Sequence, residues 1–192
     1  MPTEAQLQEL LDKQAIYEVL CRYCRGVDRL DKELVLSCFH PDTPDTHLGL
    51  GGTLYTGTIE EYLDAEFPKF RETTAGMMHY IMNFLCEVDG DRAVAETYQL
   101  STTWGKDPTD PRVNMQNSNR YIDYLERRNG EWRIAERTLM RNYTYLENRP
   151  GEFPDAINGW PKYARDPSDP AYFSVRDYRA QHEQSQEDLD GA

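Results

Sequence analysis

The chain has 192 residues, with 21 Lys+Arg against 34 Asp+Glu, a formal charge of −13 and a pI near 4.7. So acidic a chain, with no Lys/Arg cluster, repels phosphate backbones and anionic lipid surfaces, which sets nucleic-acid and membrane binding aside and leaves small molecules and other proteins as partners. With 39% hydrophobic and 11% aromatic residues it can bury a real core as one domain with an appendage.

The first nine residues, Met1 to Glu9, are polar and carry acids instead of the basic start of a secretory signal, and the longest apolar runs (Tyr80-Ile81-Met82, Phe84-Leu85-Cys86) are far too short to span a bilayer. The expectation is a cytoplasmic protein with reduced thiols. Cys21-x-x-Cys24 falls inside a helical pattern, and with Cys38 and Cys86 it reads as buried structural thiols in preference to a metal or redox pair.

Residues 1–39 read as helix. Thr3-x-x-Gln6 has the form of a capping box, and Leu7, Leu10, Leu11, Ile16, Leu20, Cys24 and Val27 keep an apolar stripe. Gly26 is expected to break it, with Asp31 as a fresh N-cap for a short helix from Lys32 to Cys38 that buries Leu34, Val35 and Cys38. The prolines of His40-Pro41-Asp42-Thr43-Pro44-Asp45 impose a loop, because each disfavours helical geometry in the residue before it. A strand pair is expected around 46–50 and 53–56, bent at Gly51-Gly52. Thr58-x-x-Glu61 then caps another short helix, with Ile59, Leu63 and Phe67 on one face and Pro68 near its end.

From Met77 the period changes to two. Four strands follow, 77–88, 92–104, 113–128 and 131–146, joined through Asp89-Gly90 and Asn129-Gly130, two hairpin signals in which both central residues take positive φ. In 77–88 both alternating sets are largely apolar: Met77, Ile81 and Leu85 on one side, Met78, Tyr80, Met82, Phe84, Cys86 and Val88 on the other. Such a strand is covered twice, by the N-terminal helices and by a second subunit or the C-terminal segment. Residues 147–192, rich in proline and acids yet carrying Phe153, Trp160, Tyr163, Tyr172, Phe173 and Tyr178, read as an irregular arm frayed at its end.

Of the four histidines, His182 falls in the tail, while His40 and His47, with Asp42 and Asp45 nearby, read as a solvated loop because their spacing matches no metal motif. His79 differs, since Met77 and Ile81 share its side of a regular strand and wall it with apolar groups. Asp28 shares a helix face with Tyr17, Cys21 and Cys24, where a carboxylate is costly unless paired, and the helix C-terminus adds its own repulsion. Periodicity leaves open whether its partner is His79 or one of Arg25 and Arg29.

The runs Tyr23-Cys24-Arg25-Gly26-Val27-Asp28-Arg29-Leu30-Asp31, Cys38-Phe39-His40-Pro41-Asp42 and Met78-His79-Tyr80-Ile81-Met82-Asn83 resemble the SnoaL-like branch of the nuclear transport factor 2-like superfamily, and the resemblance extends over residues 5–146. It implies an α+β fold: a cone-shaped barrel of curved antiparallel sheet wrapped around the long N-terminal helix, with two further short helices, over residues 1–146. It also implies the chemistry of cofactor-free dehydratases, dehydrochlorinases, cyclases and lyases, in which an aspartate at the end of the first helix pairs with a histidine on the first long strand, here Asp28 and His79. The bile-acid dehydratase type adds a tyrosine and an arginine that correspond to Tyr23 and Arg141. Its acid on the middle strand is replaced here by Ser101.

The expected activity is a lyase without metal or cofactor, acting on a hydrophobic cyclic or aromatic hydroxylated molecule by dehydration or by C–C cleavage that releases a small aldehyde. His79, Asp28, Tyr23 and Arg141 are its catalytic set, and Tyr143, Tyr17, Met77 and Ser101 contact substrate; in a regular strand Tyr143 and Tyr145 share the face of Arg141. A homodimer or homotrimer is expected. The alternatives are a non-catalytic small subunit of a ring-hydroxylating dioxygenase and a small-molecule binding module.

Overall fold

The computed structural model describes residues 1–41, 43–48, 54–146 and 165–166. The chain divides into two compact units, Met1–Glu152 and Phe153–Ala192, and every element below belongs to the first. The bend at Gly51-Gly52, His182 and nearly all of the arm after 147 lie outside the described residues.

Helix α1 (Glu4–Arg29) opens on the expected capping box: Gln6 N–H donates to Thr3 Oγ1 at 3.2 Å and Thr3 N–H to Gln6 Oε1 at 2.9 Å. Its buried face runs through Asp12, Ile16, Val19, Leu20, Tyr23, Cys24, Gly26 and Asp28. Leu7, Leu10 and Leu11 are exposed, against the expected stripe. They precede Asp12, where the helix is tied to the sheet by Trp132 Nε1–H (3.0 Å) and Arg127 Nη1–H (2.6 Å), both donating to Oδ1.

Gly26 does not break the helix, which ends at Leu30 in a left-handed conformation (φ 55°) whose N–H returns to the carbonyls of Gly26 and Val27. A Cβ on residue 26 would lie 2.7 Å from Val35 Cγ2, so the glycine lets α2 (Lys32–Leu36) close onto α1. Asp31 caps α2 as expected, and Val35 and Cys38 are buried while Leu34 is half-buried.

Strands β1 (Pro44–Leu48) and β2 (Leu54–Thr58) form a two-stranded sheet, followed by α3 (Ile59–Thr73). Thr58 and Glu61 form the second capping box, and Ile59, Leu63 and Phe67 are buried together with Tyr62 and Glu66. Pro68 lies inside the helix, which runs on to Thr73 instead of ending near the proline.

The main sheet is an antiparallel meander in the order β3 (Thr74–Asp89), β4 (Arg92–Gly105), β5 (Met115–Arg128), β6 (Glu131–Leu146). The α+β order and the long helix packed against a curved sheet are as expected, and the sheet is open, with β3 and β6 as its edges. In the β5–β6 hairpin both central residues, Asn129 (φ 54°) and Gly130 (φ 83°), take positive φ. The β3–β4 turn differs: Asp89 pairs with Arg92, so its centre is Gly90-Asp91, and only Gly90 (φ 59°) is positive. Strand β5 starts two residues later than the alternation suggested, because the Asn114 side chain knits the preceding loop through Gly105 N–H, Asp107 O and Asp110 O.

Bulges in β3 and β6 decide which side chains face α1. Ile81 pairs with Gln99 but Phe84 with Thr97, so β3 holds one extra residue there. Met77, His79 and Ile81 face inward before it, and Phe84, Cys86 and Val88 after it. Leu85 is thrown outward and is 74% exposed, contrary to the expected set Met77–Ile81–Leu85. Met78, Tyr80 and Met82 form the outer set and are exposed, so no second cover lies on them among the described residues. In β6, Arg141 pairs with Asn119 but Tyr143 with Ser118, which makes Asn142 the extra residue.

Candidate active site

The end of α1 and the middle of β3 meet through Asp28 and His79. Asp28 Oδ1 lies 2.6 Å from His79 Nδ1, and Asp28 Oδ2 accepts the backbone N–H of the same residue at 3.2 Å. The carboxylate therefore grips residue 79 at ring and backbone, and both side chains are largely withdrawn from solvent (12% and 13% exposed). An ionised carboxylate only accepts, so Nδ1 carries the proton and Nε2 holds the lone pair. Nε2 has no hydrogen-bond partner among the described residues.

The sheet register places the other expected residues. Ser101 is the cross-strand partner of His79 and is buried; Met77, one step along β3 on the same face, is buried as well. Arg141 pairs with Asn119 and so belongs to the inner face, although its side chain is exposed. It lies on the opposite edge strand from His79, three strand spacings or roughly 14 Å along the sheet, so one substrate reaches both only across the curved inner surface.

The bulge at Asn142 corrects the assignment of Tyr143 and Tyr145. Paired with Ser118 and Gln116, both lie on the outer face, away from His79. Tyr17 is half-buried and meets Phe84 edge-on (centroids 5.4 Å), beyond the β3 bulge.

Tyr23 is built into a different cluster. Its ring meets the edges of Phe39 (5.7 Å) and Tyr121 (5.9 Å), and the Arg137 guanidinium lies 4.1 Å from its centroid and 4.1 Å from that of Tyr121. Arg137 is paired with Asp123 through Nε–Oδ1 (2.6 Å) and Nη2–Oδ2 (2.9 Å), with both residues buried. Burial alone would pull the guanidinium down, but the Asp123 carboxylate more than offsets it and holds Arg137 protonated. Burial drives the Tyr121 phenol well above its ordinary value.

His40 is not a solvated loop residue. It is buried, with Nε2 at 3.0 Å from the Glu126 carbonyl and its backbone N–H on the Ile134 carbonyl. Among the described residues no group of His, Cys, Asp and Glu is arranged to hold a metal ion; Asp42 and the side chains of Asp45 and His47 lie outside them.

Cys24, Cys38 and Cys86 are buried free thiols and Cys21 is exposed; burial pushes all four upward, Cys24 most clearly. Iodoacetamide on the native protein is expected to modify Cys21 slowly and to leave Cys24 and Cys38 intact by mass spectrometry. Labelling of Cys24 before Cys21 would contradict that burial.

Apart from Ser101, sequence reasoning missed the polar lining of this face. Thr97, Gln99, Ser101 and Thr103 alternate along β4, and Asn117 and Asn119 along β5; all but the half-buried Thr103 and Asn117 are buried. The signal was a period-two polar set interleaved with Tyr98 and Leu100, in which the polar residues face in and the apolar ones out.

The family model of the SnoaL-like domain matches residues 8–138. The chain belongs to the SnoaL-like family. Among solved structures, the hexachlorocyclohexane dehydrochlorinase LinA-type3 of Novosphingobium barchaimii LL02 is similar at 20% identity over 77% of this chain and 98% of that one, with a TM-score of 0.62. A candidate scytalone dehydratase of Novosphingobium aromaticivorans DSM 12444 is 17% identical over 77% and 95%, with a TM-score of 0.60. A candidate aromatic ring hydroxylase of Novosphingobium aromaticivorans DSM is 22% identical over 72% and 94%, with a TM-score of 0.59. No curated protein sequence matches the chain. At these identities the neighbours establish the fold.

Proposed function

We propose that the protein is a cofactor-independent lyase in which His79, held by Asp28, removes a proton from a cyclic or aromatic hydroxylated small molecule. The observation that carries this reading is the double grip of Asp28 on residue 79, which fixes the tautomer with its lone pair on Nε2 and leaves that nitrogen without a described partner.

Nε2 takes the proton, and Asp28 stabilises the imidazolium that forms. In a dehydration the C–H electron pair becomes the new double bond, and the proton returns from Nε2 to the departing hydroxyl, which leaves as water. In the C–C cleavage variant the proton comes from a hydroxyl, its oxygen becomes the carbonyl of a small aldehyde, and the carbon left behind is reprotonated. Arg141, on the inner face, is the candidate donor to the oxygen that gains charge, while Tyr23, given that role by the family resemblance, is held in the Arg137 cluster. Ser101, opposite His79, and Met77 line the same wall. The names of the dehydrochlorinase and dehydratase neighbours agree with eliminations of this kind.

The test is a mass-spectrometric screen of hydroxylated aromatic and alicyclic compounds for loss of water or release of an aldehyde, run beside His79→Ala. Product formed by the native protein and not by the folded variant supports the assignment; equal product from both removes it.

A further inference from the structure

On the inner face of the sheet, the row that contains Ile81, Gln99, Asn119 and Arg141 lies one same-face step from the row that contains His79, Ser101, Asn117 and Thr144. Gln99 is thus a diagonal neighbour of His79, about 7–8 Å away between backbones and within reach of a long side chain.

Gln99 is fully buried and Asn119 nearly so, and Asn119 Nδ2–H donates to Gln99 Oε1 at 2.9 Å. Gln99 Nε2 and Asn119 Oδ1 are buried with no hydrogen-bond partner among the described residues. Turning both amides over exchanges the atoms but not the outcome, because one hydrogen bond between two amides always leaves one unused donor group and one unused acceptor. Leaving such groups unpaired is costly, and two apolar side chains of similar size would avoid the cost altogether. A buried donor–acceptor pair on the same sheet face as an imidazole whose Nε2 has no partner among the described residues suits recognition of a polar substrate.

We infer that Gln99 and Asn119 determine specificity by binding a neutral oxygen function of the substrate that both accepts and donates a hydrogen bond, as a hydroxy ketone does. The inference rests on the lyase reading, since it takes the molecule bound there to be the one His79 deprotonates. The carbonyl accepts from the Gln99 amide N–H and the hydroxyl donates to the Asn119 carbonyl oxygen. A hydrocarbon or halocarbon leaves both amide groups unpaired, and a carboxylate sets its charge against the acceptor of Asn119.

The test measures binding of 3-hydroxyindan-1-one, indane and indane-2-carboxylate by ligand-observed NMR to the native protein, to Gln99→Met/Asn119→Leu and to His79→Ala. The hydroxy ketone is expected to bind the native protein at least about tenfold more tightly than the other two. The double variant should lose that preference while melting no lower than the native protein, because no buried amide is left unpaired; His79→Ala should keep it. Equal binding of indane, no binding of the hydroxy ketone, or a preference that survives in the double variant each overturns the inference and points to a structural role or an ordered water for the amides. Should the double variant not fold, the comparison of the three ligands on the native protein decides. A His79→Ala protein that keeps both turnover and the preference removes the lyase reading alone, whereas a lost preference with turnover still dependent on His79 removes this inference alone.

Discussion

Asp28→Asn is expected to abolish most turnover, by about 10⁴-fold in kcat, with KM little changed and the protein still folded. In the native protein the carboxylate accepts from Nδ1, which leaves the lone pair on Nε2. An asparagine offers an amide N–H to the same nitrogen. Nδ1 then becomes the acceptor, the proton moves to Nε2, and the base is switched off with almost no change in shape. The variant also loses the negative charge that stabilises the imidazolium. His79→Ala removes the base altogether and is expected to cost about 10² to 10⁴-fold for the proton transfer itself. Comparing the two by steady-state kinetics separates orientation from base identity: if Asp28→Asn is mild while His79→Ala is severe, Asp28 acts only by anchoring the backbone of residue 79. If both variants turn over as the native protein does, the proton is carried elsewhere.

Much of this arrangement is legible in the sequence. The two capping boxes and the Asn129-Gly130 turn are local signals written in adjacent residues, and each reappears in the structure, whereas β3 begins at Thr74, three residues before the change of period. The meeting of Asp28 and His79, 51 residues apart, is not local. Periodicity could say only that a carboxylate on a buried helix face needs a partner, and the family resemblance supplied which one.

The departures on β3 and β6 share one physical origin. An extra residue in a strand reverses which face every later side chain takes, and nothing in the composition around Asn83 or Asn142 announces it. Tyr143 and Tyr145 moved to the outside for that reason, and Leu85 with them. Leu7, Leu10 and Leu11 failed differently: the stripe is real, but a stripe does not say how far the opposing surface extends. Hydrophobic residues outside and amides inside also invert the ordinary expectation along β4, and that inversion is where the candidate recognition groups lie.

Removing either member of the Asp123–Arg137 pair should destabilise the fold by about 3–5 kcal/mol, the largest stability effect expected in the protein. The two side chains are at most 1% exposed, make two hydrogen bonds to each other and are enclosed by Tyr23, Tyr121 and Phe39. Arg137→Met leaves a carboxylate in an aromatic cage with no cation, and Asp123→Leu leaves a guanidinium with only ring faces for company. Each variant strands a charge that water cannot reach. Replacing both at once strands nothing, so Asp123→Leu/Arg137→Met should recover most of the loss in urea denaturation despite carrying more changes. The cage also sets the site, because Tyr23 stands on α1 five residues before Asp28 and its ring is held by Arg137. A single variant that remains folded should therefore show a lower kcat as the end of α1 loses its seat, while the double variant, with the cage refilled, should regain part of it. Single variants costing less than about 1 kcal/mol would mean that the pair is reached by water, in the range of surface ion pairs.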